Sequence, residues 1–529
     1  MAVEVLDCTL RDGGYINNWE FGRHAMASIL DKLEAAGIEI IECGFLTNRP
    51  RDEDCSLFAG PEAILPLLPR RKPQSQFVAM IAMGEKELSP DQLPPRQPGG
   101  ISGIRLTFRR EDGDRAFAWA GAIMDKGYQL FLQPVGTAFY SDLDLLRLVE
   151  RVNRLRPFAF YIVDTLGSMY PAQLTRQFHL IDENLEPSVR LGFHGHNNLQ
   201  LAFSNAQTLC SMQTKRSVVL DSSVYGMGRG AGNLPTELIT RYINRNIQSR
   251  YSPAMVLDIY EEYIAPLRKE YQWGYSMAYH IAAVHACHPN YAAYLINKQT
   301  LTAQDMESIL RSIPQERRVE FDKGLIHQLY ARYQSRQIDD SRAVEELTQL
   351  IAGRRLLVLA PGESLRTRKS QVLEFIRREQ PLVLAVNFAD PAFQVEVCFV
   401  SSHKRLDIAG GRLRDLPGVR RVFTSNLAAY EEENCLTVDY DRYLNGDPMV
   451  ADNAGLMLLK LLKRCGAKQV WLGGFDGLGG GYYTREASLP LPPAEALERQ
   501  RRMGEQLGRL GLELHYLTPS AYQQKEALR

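Results

Sequence analysis

Apolar and polar positions follow two interleaved rhythms from residue 1 to about residue 247. Short β-rich runs predict strands at 3–7, 38–43, 77–81, 103–107, 128–133, 159–164, 189–194 and 218–224. Between most of them apolar residues recur at helical spacing, at 23–36, 115–126, 143–155, 172–184 and 199–212. Eight such units of roughly thirty residues, in roughly 250, predict an α/β chain that opens with a (β/α)8 TIM barrel. The competing architecture is a doubly wound open sheet. Polar residues stand at the C-terminal end of strand after strand: Arg11 and Asp12, Glu42, Arg105, Gln133, Asp164 and Thr165, His194 and His196, then Tyr225. A barrel gathers those ends into one ring, whereas an open sheet strings them along an edge. The pattern therefore favours a barrel at 1–250.

From 251 to 333 the periodicity is helical and rich in aromatics, which predicts a helical extension over or beside the barrel. His280, His285 and His288 fall within nine residues, but their spacing of five and then three does not stack them on one helical turn. A lid or structural role fits them better than a metal site, with His288 and Tyr291 as candidate substrate contacts. Residues 334–354 are polar and charged and read as a helical linker. A smaller Rossmann-like α/β domain is expected over 355–529, opening on 355–359 and the turn Pro361-Gly362-Glu363-Ser364. A strand that runs into a Gly/Ser turn and then a helix can set backbone N–H groups around a phosphate. Neither dinucleotide nor P-loop spacing is present. Gly362, Ser364, Asn387 and Asp476 are its candidate ligand residues.

Composition narrows the class. Lys+Arg and Asp+Glu balance at 62 each, so no global field draws nucleic acid or an anionic membrane. No apolar run approaches the ~20 residues that a bilayer requires. The chain opens straight into a predicted strand, without a basic n-region or cleavage site. Its eight cysteines lack any CxxC pair and read as reduced thiols. A cytoplasmic protein is expected.

The chemistry lies in two distant stretches. Asp7-Cys8-Thr9-Leu10-Arg11-Asp12-Gly13-Gly14-Tyr15 ends the first strand, and His194-Gly195-His196-Asn197-Asn198 ends the seventh. Residues two apart on a strand point the same way, so His194 and His196 can present two imidazoles to one point. With the Asp12 carboxylate they make a divalent-metal site. The donor set leans to Mn²⁺ or Mg²⁺, with Zn²⁺ and Fe²⁺ compatible. Asn233, in Gly228-Arg229-Gly230-Ala231-Gly232-Asn233, is placed either as a fourth ligand or to orient a bound water. Such an ion chelates a 2-oxo acid and stabilises its enolate, and Arg11 is placed to share that charge. Read separately, Arg11–Asp12 is an ordinary ion pair and the histidines are loop residues, but their joint appearance at two strand ends favours the metal. A Schiff-base aldolase needs a lysine at a strand's catalytic end. None of Lys32, Lys72, Lys86, Lys126 and Lys215 is expected there.

These motifs, with Gly228-x-Gly-Ala-Gly-Asn233, resemble the pyruvate-aldolase branch of the DRE-TIM metallolyases over roughly residues 1–300. That superfamily includes 4-hydroxy-2-oxovalerate aldolase, HMG-CoA lyase and isopropylmalate synthase. The resemblance implies Asp12, His194 and His196 as metal ligands and Arg11 as the enolate-stabilising residue. In the hydroxy-oxovalerate aldolases a histidine two positions after the RDG motif serves as acid/base. Here Gly14-Tyr15 stands there, leaving Tyr15, a metal-bound water or a histidine of 280–288 for that role. A phenol normally titrates near 10, so Tyr15 as a base requires a lowered pKa. The second domain resembles, through Pro361-Gly362-Glu363-Ser364-Leu365, Val386-Asn387, Asn453-Ala454-Gly455 and Gly474-Phe475-Asp476-Gly477, the Rossmann-like domain of bacterial sialyltransferases and pterin-pyrophosphokinase-like proteins. That implies a nucleotide sugar or other phosphorylated ligand. The expectation is a metal-dependent aldolase joining or cleaving pyruvate and a sugar-like or other aldehyde in surface-carbohydrate metabolism, active as a homo-oligomer. The alternatives are a nucleotide-sugar-binding or glycosyl-transferring protein with the barrel as scaffold, and an acyl-CoA Claisen-type lyase or synthase.

Overall fold

A computed structural model of the 529-residue chain describes residues 2–69, 74–414, 416, 418–427, 435–478, 481–483, 491 and 493–523. The contacts divide it into two compact units. One comprises 1–293 with 313–322, the other 294–312 with 323–529.

In the first unit eight parallel strands close on themselves: β1 (Val3–Asp7), β2 (Ile40–Leu46), β3 (Gln76–Ala82), β4 (Gly103–Phe108), β5 (Gln129–Pro134), β6 (Ala159–Asp164), β7 (Arg190–Gly195) and β8 (Val218–Ser222). Closure comes from β1, which pairs with β8 through Val3↔Val218 to Asp7↔Ser222 and with β2 through Leu6↔Ile40. This is the expected TIM barrel. The strands are buried almost throughout, which is why they read as apolar runs and not as alternation. Helices α1 (Arg23–Ala35), α2 (Gly113–Asp125), α3 (Asp142–Leu155), α4 (Pro171–Asn184), α5 (Ala202–Ser211) and α6 (Thr236–Asn246) pack outside. Short 3₁₀ turns replace the crossover helix on either side of β3. β2 begins two residues later than expected and continues three further, to Leu46, because its end pairs with a two-residue strand at Leu57–Phe58.

Beyond α6 the first unit adds α7 (Met277–Val284) and begins α8 (Pro289–Lys298). Tyr291 anchors this segment: its hydroxyl donates to the carbonyls of Arg317 (2.8 Å) and Glu320 (2.7 Å) and accepts from Asp322 N (3.0 Å).

The second unit has a seven-stranded parallel sheet: β9 (Leu356–Leu359), β10 (Leu382–Val386), β11 (Val397–Val400), β12 (Arg420–Thr424), β13 (Cys435–Val438), β14 (Gln469–Gly473) and β15 (Glu513–Tyr516). Their spatial order is β13-β12-β11-β10-β9-β14-β15. Helix α9 (Ala454–Arg464) buries Leu456, Leu458, Leu459 and Leu462 in its core. Part of the stretch read as linker also belongs to that core. The helix Ser341–Ile351 buries Ala343, Leu347 and Ile351. That i, i+4, i+8 stripe is amphipathic packing, masked in the sequence by the charges around it. No helix among the described residues is long and apolar enough to cross a membrane.

The loop after β8 turns back so that Asn233 pairs with His196, and Asn197 N donates to Gly232 O (2.8 Å). Gly232 sits at φ +84°, where an added Cβ would lie 1.9 Å from Gly226 O. A non-glycine residue in that region costs about 1–2 kcal/mol before any clash. Gly232→Ala is therefore expected to lower the calorimetric Tm by several degrees and to displace Asn233, which moves with the loop.

Candidate metal centre

The turn after β1 explains the spacing of the first motif. Asp7 closes the strand by accepting from Thr9 N (2.9 Å) and the Thr236 hydroxyl (2.6 Å), while Thr9 Oγ1 accepts from Val224 N (2.8 Å). Burial pushes Asp7 up to about 6, with the bonds from Thr236 and Thr9 opposing it. The first two polar positions of the motif thus staple β1 to the segment after β8. Arg11 N and Asp12 N then turn back onto Cys8 O (3.1 and 2.8 Å), which aims both side chains into the barrel mouth.

Asp12, His194 and His196, all buried, offer ligand atoms within 4.8 Å of one another. Their neighbours fix their states. His194 Nδ1 lies 3.0 Å from Asp221 Oδ2, which leaves Nε2 to face the centre. The His196 ring crosses that of His194 at 86°, and its Nδ1, 4.0 Å from Asp12 Oδ2, is buried without a hydrogen bond. Burial drives His196 down to about 3 against the pull of Asp12, so it is neutral, the form that binds metals. Burial also disfavours an ionised Asp12, but the charges around it, Arg11 foremost, outweigh it and hold the carboxyl well below its usual range. Asp12 Oδ1 takes Arg11 Nη1 (2.8 Å), and Oδ2 takes Asn233 Nδ2 (2.5 Å). Gly228 is needed beside them, since a Cβ there would sit 2.3 Å from Asn233 Nδ2 and 2.9 Å from Asp12 Oδ2.

Below this group lies a buried ion network. Glu42 Oε2 accepts from Arg11 Nε (2.8 Å) and Arg105 Nη1 (2.6 Å). Arg105 Nη2 pairs with Asp221, and Gln133 Nε2 is 3.5 Å from the same carboxylate oxygen. Two guanidinium cations, Arg11 and Arg105, thus face three carboxylates, Asp12, Glu42 and Asp221. Such an excess of buried negative charge is costly unless a cation joins it. The two imidazoles, the carboxylate and the unbonded His196 Nδ1 and Asn233 Oδ1 fit a divalent metal.

Not every expected residue joins this group. Arg11, Asp12, His194, His196, Asn233, Glu42, Arg105 and Gln133 do. Arg105 has both terminal nitrogens in ion pairs inside the barrel, so it supports the centre from beneath and does not reach for substrate. Asp164 uses its carboxylate on Ser168 N and Met169 N (both 2.9 Å), with burial pushing it up to about 6, and Thr165 Oγ1 accepts from Gly136 N (3.0 Å). Both shape loops. The Tyr291 hydroxyl is likewise committed to backbone. His288 reaches the centre through Arg229, whose Nη1 lies 3.0 Å from its Nε2. Burial and then Arg229 lower the His288 pKa well below the ordinary imidazole value. In the second unit Gly362, Asn387 and Asp476 line one crevice, and the Ser364 hydroxyl lies against Asp476 and Thr518.

Tyr15 packs edge-on to Trp19, lies under Arg229 (4.0 Å) and donates to Glu85 Oε1 (2.9 Å). Burial raises its phenol far above the ordinary range, opposite to the lowering that a base requires. The lysine argument also needs correction. Lys86 does stand at the barrel rim, because a tight turn bonds its N to Ala82 O (2.9 Å) right after β3. Its ammonium is tied to Glu85 (2.6 Å) and covers the Trp19 ring (4.1 Å). Lys72 lies outside the described residues. The sequence reading missed Asp221 and gave Arg229 no role. A lone carboxylate in the apolar strand Val218–Ser222 was the available signal for Asp221.

Residues 124–259 match the family model described as HMGL-like. A 4-hydroxy-2-oxovalerate aldolase from Marinomonas sp. (strain MWYL1) is 27% identical over 272 residues, covering 49% of this chain and 76% of the relative. The protein of that name from Thermomicrobium roseum is 28% identical over 305 residues, covering 54% and 81%. Among solved structures, the HMG-CoA lyase of Brucella melitensis aligns at 14% identity with a TM-score of 0.40, covering 51% of this chain and 99% of that one.

If Asp221 orients His194 for a metal, Asp221→Asn should weaken Mn²⁺ binding by about 10–100-fold in calorimetric titration. Unchanged affinity would show that His194 is held by other means.

Proposed function

We propose, taking the barrel as an HMGL-like domain related to the 4-hydroxy-2-oxovalerate aldolases, that this protein is a divalent-metal-dependent carbon–carbon lyase that makes or cleaves a 4-hydroxy-2-oxo acid. The observation that carries this reading is the buried Asp12–His194–His196 cluster, with the Arg11 Nη2 donor beside it. A divalent cation, Mn²⁺ or Mg²⁺ by donor type, would be held there by those three side chains with Asn233 adjacent, and would supply Lewis-acid chemistry at the carboxylate and ketone of the oxo acid.

The chain's own residues supply the rest. Arg11 is locked by Glu42 and Asp12 through Nε and Nη1, and its buried Nη2 has no hydrogen bond. That donor serves the oxygen on which charge grows as the C3–C4 bond breaks and pyruvate leaves as its enolate. Being fixed beforehand, it reorganises little during the reaction. Tyr15 keeps its proton near neutral pH and so acts as donor. His288, neutral beside Arg229, is the acceptor for the 4-hydroxyl proton. Tyr15, Arg229, Glu85 and Lys86 give the rim a charged, hydrogen-bonding character. That suits a hydroxylated, sugar-like aldehyde better than an aliphatic one.

Supplied with Mn²⁺, the protein is expected to release pyruvate from a 4-hydroxy-2-oxo acid and to exchange the methyl protons of pyruvate with solvent. His194→Ala should remove both. Arg11→Leu should lower kcat by about 10²–10³-fold with Mn²⁺ affinity far less affected, the loss typical of a missing oxyanion donor. His288→Gln should slow cleavage more than Tyr15→Phe does. Full pyruvate release by His194→Ala, or release indifferent to chelator, would overturn the assignment.

A further inference from the structure

The barrel mouth holds a cation that the fold leaves unanswered. Arg11 is paired with Asp12 and Glu42, Arg105 with Glu42 and Asp221, Lys86 with Glu85, and Arg109, which follows β4, with Glu320 (3.2 Å). Arg229, half-buried, makes no ion pair among the described residues. Its Nη1 lies 3.0 Å from His288 Nε2, its guanidinium carbon lies 4.0 Å from the centre of the Tyr15 ring, and its Nε is buried without a hydrogen bond. Glu85 is already held by Lys86 Nζ (2.6 Å) and the Tyr15 hydroxyl (2.9 Å). A cation whose contacts are an imidazole nitrogen and the face of a phenol has given up water without gaining an anion.

A rigid loop puts it there. Arg229 O accepts from Gly232 N (3.0 Å), and Ala231 N donates to Asn198 Oδ1 (2.8 Å). Gly230, at φ +67°, passes so close that an added Cβ would lie 2.7 Å from that same oxygen. On the other side is Gly228, packed against Asp12 and Asn233. The backbone therefore borders the metal-ligand cluster, while the Arg229 side chain runs away from it to Tyr15 and His288. In the lyase reading His288 takes the proton of the 4-hydroxyl. Arg229, in contact with His288, thus faces the substituent on C4, the half that leaves as the aldehyde. With Nη1 on His288 and Nη2 making no hydrogen bond among the described residues, its Nε–Nη2 edge remains. That edge grips a carboxylate or phosphate through two parallel bonds.

Charge leads to the same place. The buried carboxylates Asp12, Glu42 and Asp221 exceed Arg11 and Arg105 by one. A divalent ion turns that deficit into a surplus of one positive charge, and Arg229 makes it two. The Lys86–Glu85 and Arg109–Glu320 pairs cancel. A 2-oxo acid with a neutral tail brings one negative charge, so complementarity asks for a second at the far end of the substrate.

Resting on the lyase reading, we propose that Arg229 is a specificity-determining residue, selecting an oxo acid whose aldehyde half carries an anionic group, a carboxylate or a phosphate. The test uses the full-length protein loaded with Mn²⁺ and two pairs of 2-oxo acids that lack a 4-hydroxyl: 2-oxoglutarate with 2-oxopentanoate, and 2-oxoadipate with 2-oxohexanoate. Within a pair a carboxylate replaces a methyl group. In calorimetric titration at least one diacid should bind about 10-fold or more tighter than its partner, and that ratio should fall to about one in Arg229→Gln. Arg229→Lys, which keeps the charge but loses the fork, should retain part of it. A disturbance of His288 alone would move both members of a pair alike. Condensation of pyruvate with D-glyceraldehyde 3-phosphate against D-glyceraldehyde, and with succinic semialdehyde against butanal, tells phosphate from carboxylate by the larger kcat/KM ratio. The inference fails if no charged member outperforms its neutral partner in either measurement, or if the preference survives in Arg229→Gln. Mn²⁺-dependent exchange of the pyruvate methyl protons needs no aldehyde half. Exchange without any preference for charge sinks this inference and spares the lyase reading, whereas an Arg229-dependent preference without exchange leaves the anion site standing while the lyase reading falls.

Discussion

The first unit depends on a chain of buried charges that runs from Asp12 through Arg11, Glu42 and Arg105 to Asp221 and His194. Each link joins a different strand or strand end. β1 contributes the Arg11–Asp12 turn, β2 Glu42, β4 Arg105, β7 His194 and β8 Asp221. Removing one partner of a buried pair typically costs about 3–5 kcal/mol, because the other charge is stranded in a medium that cannot solvate it. An isosteric apolar core would serve stability as well. What the charges add is direction: Arg11 cannot rotate, His194 cannot choose its tautomer, and the carboxylate surplus points upward to the mouth.

That surplus separates a structural network from a functional one. A purely structural ion chain closes on itself with matched charge. Here the fully buried members leave one carboxylate charge over, and Arg229, at the half-buried rim, answers part of it. Several atoms of this group, among them Arg11 Nη2, Glu42 Oε1, Asp221 Oδ1, His196 Nδ1 and Asn233 Oδ1, are buried without a hydrogen bond. Buried polar atoms without partners are rare in folded proteins. Their concentration at one end of a barrel marks where the energy of folding has been traded for binding.

Much of this was legible in the sequence. The strand runs and the polar residues ending them announced the barrel, and the motifs at 7–15, 194–198 and 228–233 announced its mouth. The remainder was not, for physical reasons. Asp221 sits inside an apolar strand, and only the three-dimensional neighbours Arg105, Gln133 and His194 reveal why a charge is tolerated there. Arg229 was hidden among glycines whose conformations dominate the local pattern. Asp164 and Thr165 fit the strand-end rule but turn their polar atoms onto loop amides, since a buried loop must satisfy its own backbone first. The same demand overrode the Gly362–Ser364 turn, whose amides donate to Ala360, Gly474, Gly481 and Asp476.

The position held by Tyr15 shows how far local identity can mislead. Where the resemblance leads one to expect a histidine, a phenol could replace it as base only by losing a proton, and its surroundings forbid that. Its oxygen faces Glu85, and although Arg229 and Arg11 favour the phenolate, burial outweighs them. The phenol therefore keeps its proton and offers it only as a hydrogen bond. His288, which burial and then Arg229 keep neutral, is by contrast a group with a lone pair to offer. Two side chains far apart in the sequence thus differ, through their surroundings, in what each can offer at neutral pH: the phenol a hydrogen bond to donate, the neutral imidazole a lone pair.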